Sequence, residues 1–284
     1  MDLMWDELDS SPYGSRAPSA AVARIMSITR RQSDSWLGRR VAYALRAYGK
    51  SQLTGPVDTE VMGVKFRLYP FGNLCEKKIL FTPQYFDQAE RDLIRSRVRP
   101  GFVFLDIGAN IGGYSLAVAA FAGPNARILA FEPQPQIFQR LIYNIEQNPF
   151  GTIKAIACAV ADHDGELTLF LNNENRGQAS VKIVASEQSS GGTIKVPAKS
   201  LLTLLHEEEI GRVDVAKLDV EGAEDLIMEP FLRDAPSSLW PKLVLVENIE
   251  GRWHKDVRTL MLDHSYKATI ISTRNVAFEY GGPV

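Results

Sequence analysis

The sequence predicts an α/β fold, in which a doubly wound and mostly parallel sheet is covered by helices on both faces. The first observation is residues 102–116, where an apolar run without polar alternation is followed by a glycine turn and a helix start. The second is another apolar strand, residues 127–132, which follows after one helix and completes a βαβ unit. A chain of 284 residues with 45% apolar composition is long enough to bury the core of such a domain.

Composition and charge exclude several classes of protein. The 32 Lys and Arg against 34 Asp and Glu give a net charge of −2, so there is no overall attraction to nucleic acid. Cys75 and Cys158 are too few for a disulfide framework and lack the neighbours of a zinc site, so we expect buried, reduced thiols. No apolar run reaches the roughly 18 residues of a membrane span, and the acidic N-terminus differs from a signal peptide, which predicts a cytoplasmic location.

Residues 1–56 are predicted to be an N-terminal extension that precedes the main domain, residues 57–284. Residues 1–22 are rich in Ser, Pro and Gly and lack periodicity, so we expect a flexible tail. Residues 24–50 carry seven Lys or Arg against one Asp and predict a basic amphipathic helix.

That helix has an apolar stripe, formed by Leu37, Val41, Leu45 and Tyr48. We expect the stripe to pack on the main domain while the arginines remain in water. The alternative is peripheral contact with a membrane surface or with a phosphorylated substrate.

The remaining elements follow from periodicity and from turn residues. Residues 57–69 alternate as one or two strands of an edge ribbon, and residues 85–98 form a helix that Pro100 and Gly101 end. The later predicted elements are a helix to residue 148, a third strand at 153–160, a strand at 166–171, a helix at 201–209, a fourth strand at 213–218, a helix at 222–232, a fifth strand at 243–247, a helix at 254–263, and an antiparallel pair at 267–272 and 275–280. The polar residues between 172 and 193 predict a hairpin with a mobile tip.

The glycine turn after the first core strand has the features of a cofactor site. Gly108 and Gly112 allow the backbone to approach a ligand closely, with Ala109 and Asn110 between them. The carboxylate of Asp106, which ends the strand, would repel a phosphate but suits an amino group or water. Asn110 also stands where a dinucleotide motif requires glycine, so the turn favours S-adenosylmethionine over NAD.

Two further strand ends complete the predicted nucleoside site. Glu132 ends the second strand, where a carboxylate can accept hydrogen bonds from both ribose hydroxyls. The third strand ends in Ala161 and Asp162, and Asp162 is a candidate partner for an adenine amino group. The alternative for Asp162 is a turn-initiating role, because residues 162–165 are also a good turn sequence.

Three motifs carry a family resemblance: residues 106–115 (DIGANIGGYS), residues 131–133 (FEP, which includes Pro133) and residues 217–224 (KLDVEGAE). Together they resemble the FkbM family of S-adenosylmethionine-dependent methyltransferases, over about residues 60–280. The resemblance implies the Rossmann-like class I methyltransferase fold, with seven strands in the order 3-2-1-4-5-7-6 of which one is antiparallel. It also implies methyl transfer from S-adenosylmethionine.

The predicted catalytic residues come from strand ends at the same rim of the sheet. Lys217 interrupts an apolar strand, so it should have a carboxylate partner, and Asp219 lies on the same face of that strand. Asp219 is the first choice for a general base, and the other candidates are Glu221, Glu247 and His254. As an alternative, Asp219, Glu247 and Asn248 could hold a divalent cation, although we expect no metal.

These observations favour O-methylation of a hydroxyl group on a small molecule, a lipid or a sugar. An NAD-dependent oxidoreductase or epimerase is the first alternative, which Asp106 and Asn110 disfavour. A non-catalytic nucleoside-binding module is the second, which the intact motifs disfavour.

Overall fold

A computed structural model describes residues 8–171, 179–180, 192–247, 253, 255–272 and 275–282 of the chain. Its helices are α1 (Ala20–Arg30), α2 (Trp36–Ser51), α3 (Leu74–Phe81), α4 (Gln88–Ser96), α5 (Gly113–Ala122), α6 (Pro135–Glu146), α7 (Leu201–Glu207), α8 (Glu224–Asp234) and α9 (Val257–Asp263). Its strands are β1 (Val57–Val61), β2 (Val64–Leu68), β3 (Val103–Ile107), β4 (Arg127–Phe131), β5 (Ile153–Ile156), β6 (Ala159–Ala161), β7 (Gly165–Leu171), β8 (Ala179–Ser180), β9 (Thr193–Ser200), β10 (Val215–Leu218), β11 (Leu243–Glu247), β12 (Tyr266–Ile270) and β13 (Asn275–Tyr280).

The central sheet confirms the predicted topology. Its seven strands lie in the order β12-β13-β11-β10-β3-β4-β5. β13 runs antiparallel to both of its neighbours, whereas the other adjacent pairs are parallel. If these seven strands are numbered 1 to 7 in chain order and read from β5 to β12, the order is 3-2-1-4-5-7-6.

Both faces of this sheet are buried, which explains why its strands read as continuous apolar runs. Successive residues of β3 and β4 alternate between two cores: Phe104 and Ile128 belong to one, and Leu105 and Leu129 to the other. The strand ends are therefore the positions where polar side chains can reach the surface.

The predicted third strand is wrong beyond residue 156, where the chain changes sheets. β5 joins the central sheet, and the backbone N–H of Cys158 then donates to the Ile156 carbonyl at 3.0 Å, which bends the chain. The next strand, β6, pairs with β9 in a separate sheet of order β6-β9-β7-β8. β7 and β9 form the arms of the predicted hairpin, but residues 172–178 and 181–191 of its tip lie outside the described residues.

The prediction of a flexible tail is wrong for residues 8–22. The guanidinium of Arg67 is fully buried and donates to the backbone carbonyls of Asp9, Ser11 and Pro12 at 2.7, 2.8 and 3.1 Å. It also pairs with Asp58 at 2.7 Å. A buried cation needs such acceptors, so the chain before α1 is fastened to the ribbon of β1 and β2.

The predicted helix over residues 24–50 is in fact two helices, and most of its apolar stripe is exposed to solvent. The residues of α2 that are buried are Gly38, Ala42 and Gly49. A Cβ at Gly49 would lie 2.8 Å from Phe81 and 2.9 Å from Ile25, so small residues let α2 approach α3 and α1 closely. Of the predicted stripe, only Leu45 packs on the core, where it is partly buried. The predicted packing is wrong for Leu37, Val41 and Tyr48, which are exposed.

Two differences affect the segment before β3. The pattern did not predict α3, and the predicted helix over 85–98 begins only at residue 88, because Asp87 adopts a left-handed conformation with φ of 42°. Among the residues that the structure describes, no helix is long and apolar enough to cross a membrane.

Candidate active site

The turn between β3 and α5 is held by the end of β4. The backbone N–H groups of Gly108 and Ala109 both donate to the Phe131 carbonyl, at 3.0 and 2.9 Å. Gly108 has φ of 83°, and a Cβ there would lie 2.1 Å from the carbonyl oxygen of Asp219. Only glycine fits at this position, because β10 ends directly against the turn.

Asn110 occupies the position where a dinucleotide motif would have glycine, and its backbone conformation and hydrogen bonds explain why asparagine can stand there. Its φ of 52° is left-handed, a conformation that asparagine tolerates better than most residues. Its backbone N–H donates to Glu132 Oε2 at 2.9 Å, and its side-chain oxygen accepts from Ile111 N and Asn73 Nδ2. Asn110 therefore links the turn to Glu132 and to the segment before α3.

Glu132 is buried, and its carboxylate can accept more hydrogen bonds than it receives from the turn and from α6. Oε1 accepts from the backbone N–H of Gln134 and Oε2 from that of Asn110, each at 2.9 Å. A carboxylate oxygen can accept two hydrogen bonds, so each oxygen keeps one site for a ligand hydroxyl. Burial raises the pKa of Glu132 to about 7, against the two backbone hydrogen bonds that lower it.

Glu132 lines a cavity, which we call the Glu132 cavity. Its apolar walls come from the ends of β4 and β6, with Phe131, Cys158 and Val160 among them, and Pro133 borders it. The predicted residues Ala161 and Asp162 do not line this cavity. Ala161 packs in the small sheet, and half-exposed Asp162 lies 2.6 Å from His163 Nδ1.

A second and larger cavity, the Tyr114 cavity, adjoins the first. Gly108, Asp219 and Glu221 line both cavities, so the two meet at the glycine turn and the end of β10. The predicted residues that line the Tyr114 cavity are Asp106, Gly108, Ala109, Asn110, Lys217, Asp219, Glu221 and Glu247. Gly112 does not line it, but with φ of 89° it caps the start of α5.

Lys217 has the carboxylate partner that the sequence predicted. Its Nζ lies 2.8 Å from Asp219 Oδ2 and 4.6 Å from the centre of the Tyr114 ring. Burial alone would lower the pKa of Lys217, but the charges of Asp219 and Asp106 outweigh it, so the pKa is raised and the ammonium stays charged.

Asp106 is buried beside Lys217 on the neighbouring strand. Its Oδ2 accepts from the backbone N–H and the hydroxyl of Ser115, at 2.9 and 2.6 Å. Burial raises the pKa of Asp106, while Lys217 and Ser115 act in the opposite direction. The carboxyl group thus anchors the first turn of α5 and also lines the Tyr114 cavity.

Three carboxylates meet at the mouth of the Tyr114 cavity. Oxygen atoms of Asp219, Glu221 and Glu247 lie within 4.8 Å of one another, which could hold a divalent cation, although exposed acidic groups are common without one. Glu221 has a left-handed φ of 56°. The predicted residues His254 and Asn248 lie outside the described residues.

Sequence reasoning missed residues from the segment between β2 and α5. Tyr114 donates its hydroxyl to Asp87 Oδ2 at 3.1 Å, and both line the Tyr114 cavity with Lys78 and Asn73. Tyr114 directly follows Gly112 and Gly113 at the start of α5. This position beside the glycine turn could have identified Tyr114 as a residue of the site. Asp87 had no such signal, because its left-handed conformation follows from packing around α3 and α4.

The fold and the site define a class of protein. A seven-stranded sheet of this order, with a glycine turn and an acidic second strand end, is the Rossmann-like fold of methyltransferases. Residues 106–268 match the family model described as the methyltransferase FkbM domain. The chain therefore belongs to the FkbM methyltransferase family, and it is an enzyme that transfers methyl groups.

Several proteins of known name are similar to this chain. It is 28% identical over 191 residues to hexuronic acid methyltransferase AglP of Haloferax volcanii, covering 66% of this chain and 74% of that protein. It is 26% identical over 212 residues to 31-O-demethyl-FK506 methyltransferase FkbM of Streptomyces tacrolimicus, covering 64% and 78%. It is 32% identical over 147 residues to methyltransferase sdnD of Sordaria araneosa, covering 42% and 56%. A crystal structure of methyltransferase FkbM from Methylobacillus flagellatus aligns with a TM-score of 0.44 at 12% identity, covering 90% of this chain and 58% of that one.

Proposed function

We propose that this enzyme transfers a methyl group from S-adenosylmethionine to a hydroxyl group of a small molecule, a lipid or a sugar. The observation that carries the proposal is the buried Glu132 carboxylate, which keeps one acceptor site on each oxygen beside an apolar cavity. A nucleoside offers the matching groups, namely a ribose diol and a flat apolar base. The named relatives, one a hexuronic acid methyltransferase and one a 31-O-demethyl-FK506 methyltransferase, support an oxygen acceptor.

The residues present suit S-adenosylmethionine better than a dinucleotide. Glu132 would hold the ribose, and Phe131, Cys158 and Val160 would enclose the adenine. Asp106 suits the amino group of the methionine part, whereas a carboxylate at this strand end would repel a pyrophosphate. When bound, S-adenosylmethionine supplies a methyl group on a positively charged sulfonium. Five carboxylates and two lysines line the Tyr114 cavity: Asp87, Asp106, Asp219, Glu221, Glu247, Lys78 and Lys217. This excess of negative charge favours a cationic cofactor.

Asp219 is the residue best placed to accept a proton from the acceptor hydroxyl. It lines both cavities, and its side chain is 41% exposed, so a substrate can reach it. Lys217 holds one carboxylate oxygen and leaves the other to act as the base. Lys217 would therefore be a positioning residue, while Glu221 and Glu247 are alternative bases at the same cavity.

The experiment that tests this function follows a labelled methyl group. The folded enzyme is incubated with S-adenosylmethionine labelled in its methyl group and with a panel of neutral alcohols, sugars and lipids, and products are identified by mass spectrometry. We expect label on a hydroxyl oxygen of at least one acceptor class. Label found only on nitrogen or carbon would contradict the O-methylation proposal.

A further inference from the structure

The exposed half of α2 carries large apolar side chains that cover nothing in the domain. Trp36, Leu37 and Tyr48 are 71%, 64% and 59% exposed, and Val41 is exposed beside them. In a helix of about 3.6 residues per turn, Leu37, Val41 and Tyr48 lie within about 40° of one another. We call these three residues the α2 strip. Single exposed apolar residues are common, but several on one helix form a patch.

Cations flank the exposed face of this helix. Arg40 lies about 60 to 100° round the helix from the strip, and half-buried Arg46 and Lys50 lie about 140 to 180° from it. Among the residues that the structure describes, Arg40, Arg46 and Lys50 have no carboxylate within ion-pair distance. They lie over aromatic rings instead: Arg40 is 4.9 Å from the centre of the Trp36 ring, and Arg46 is 4.6 Å from that of Tyr43. Burial lowers the pKa of Lys77 on α3, and the charges of Lys50 and Arg46 lower it further, so the positive charge extends onto α3.

This concentration of positive charge contrasts with the rest of the molecule. Residues 24–50 carry seven Lys or Arg against one Asp, so the remaining residues carry 25 against 33. A locally positive surface on a negatively charged protein directs this face, and not the whole molecule, towards an anionic partner.

The same surface adjoins the Tyr114 cavity. α2 packs on α3 through Gly49, where a Cβ would lie 2.8 Å from Phe81. Leu74 and Lys78 of α3 line the cavity, and Leu74 is itself exposed. α3 therefore lies between the buried face of α2 and the Tyr114 cavity.

We propose that the exposed half of α2 docks on the surface of an anionic lipid bilayer. A bilayer interface accepts both kinds of side chain at once, because headgroups attract the cations while apolar and aromatic side chains enter the acyl boundary. A second copy of the chain matches the face less well, because a two-fold contact would place this positively charged face against the same face of its partner. This docking does not depend on the acceptor, and it would bring the cavity close to hydroxyl groups carried by lipids.

Vesicle sedimentation of the full chain tests the proposal. We expect binding to phosphatidylcholine vesicles that contain phosphatidylserine, weak binding to phosphatidylcholine alone, and loss of affinity as salt is raised. Reversing the charges in R40E/R46E/K50E should weaken binding by roughly 10²-fold or more. Replacing the strip in L37Q/V41Q/Y48Q should weaken it by about tenfold or more while the charges remain.

The matched control is K267E/I270Q, which changes an exposed cation and an exposed apolar residue on β12. It should bind vesicles as the unaltered protein does, and melting temperatures establish that every variant is folded. Absence of binding to anionic vesicles by the folded, unaltered chain would overturn the proposal. An equal loss of vesicle affinity in K267E/I270Q would overturn it too. So would a stable dimer of the unaltered protein, detected by sedimentation velocity, that the substitutions L37Q/V41Q/Y48Q dissociate.

Discussion

At the scale of single residues, we predict that the buried carboxyl group of Glu132 couples cofactor binding to pH. Burial raises its pKa to about 7, so the free enzyme holds a proton on this group over much of the acidic range. Ribose hydroxyls donate to the ionised form, so binding should lower this pKa and release a proton. We therefore predict that affinity for S-adenosylmethionine falls as pH drops below about 7 and is nearly constant above it.

Calorimetry in buffers of different ionisation enthalpy measures that proton release. Glu132→Gln cannot titrate, so its affinity should be weaker but independent of pH between about 5.5 and 7.5. An unaltered enzyme with the same pH-independent affinity would show that Glu132 does not meet the ribose.

Asp219 should separate catalysis from cofactor binding. Asp219→Asn keeps the shape of the side chain but removes most of its basicity, so turnover should fall by roughly 10² to 10⁴ while cofactor affinity changes little. Asp162→Asn changes an exposed carboxylate that lines neither cavity, so it is the control and should keep full turnover. Full turnover by Asp219→Asn would transfer the role of base to Glu221, Glu247 or His254.

Lys217 should contribute to stability through its carboxylate neighbours. Lys217→Met leaves buried Asp106 without the adjacent cation, and we expect a loss of about 1 to 3 kcal/mol. This is less than for a fully buried pair, because Asp219 is 41% exposed and partly screened. Denaturant unfolding of both single variants and of the double variant with Asp219→Asn measures the coupling, and strictly additive losses would mean that the pair makes no net contribution.

At the scale of elements, the chain before α1 should stabilise the domain, contrary to the prediction from its composition. Arg67 is buried, and a deletion of residues 1–19 would remove three carbonyl acceptors from it. Buried donors left without partners cost about 1 to 3 kcal/mol each, so the melting temperature should drop by about 5 °C or more. A chain that lacks only residues 1–7 keeps these acceptors and serves as the control. Equal melting temperatures for the two deletions would show that residues 8–19 are not held as described.

The elements also show where a sequence pattern misleads. The stripe of α2 was identified correctly as apolar, but periodicity does not say which face of a helix the domain covers. Here the buried residues are Gly38, Ala42 and Gly49. Gly49 permits close approach to α1 and α3, and Gly38 lies against Ser33 in the turn before α2. Likewise, Asp162 ends a strand, but the bend at Cys158 places that strand in another sheet. Neither outcome is encoded in local spacing, since both depend on contacts between distant segments.

At the scale of the whole molecule, the edge of the central sheet where acidic side chains gather could be predicted from the strands that end in Asp106, Glu132, Asp219 and Glu247. Parallel strands buried on two faces can carry charge only at their ends. The order of the strands followed instead from the family resemblance, because the pattern within a strand does not say which strands are its neighbours. The Tyr114 cavity was only half predicted. Its other wall comes from α3 and from Asp87, where a left-handed residue and a short helix carry no periodic signal.

Isothermal titration of S-adenosylmethionine into the folded enzyme is the decisive test of cofactor binding by Glu132 and the glycine turn. We expect saturable binding at one site and no comparable binding of NAD. We also expect Glu132→Ala, shown to be folded by its melting temperature, to bind S-adenosylmethionine on the order of a hundredfold more weakly, because two hydrogen bonds to a carboxylate are lost. Failure of the unaltered enzyme to bind S-adenosylmethionine, or an unchanged affinity in Glu132→Ala, would contradict this assignment.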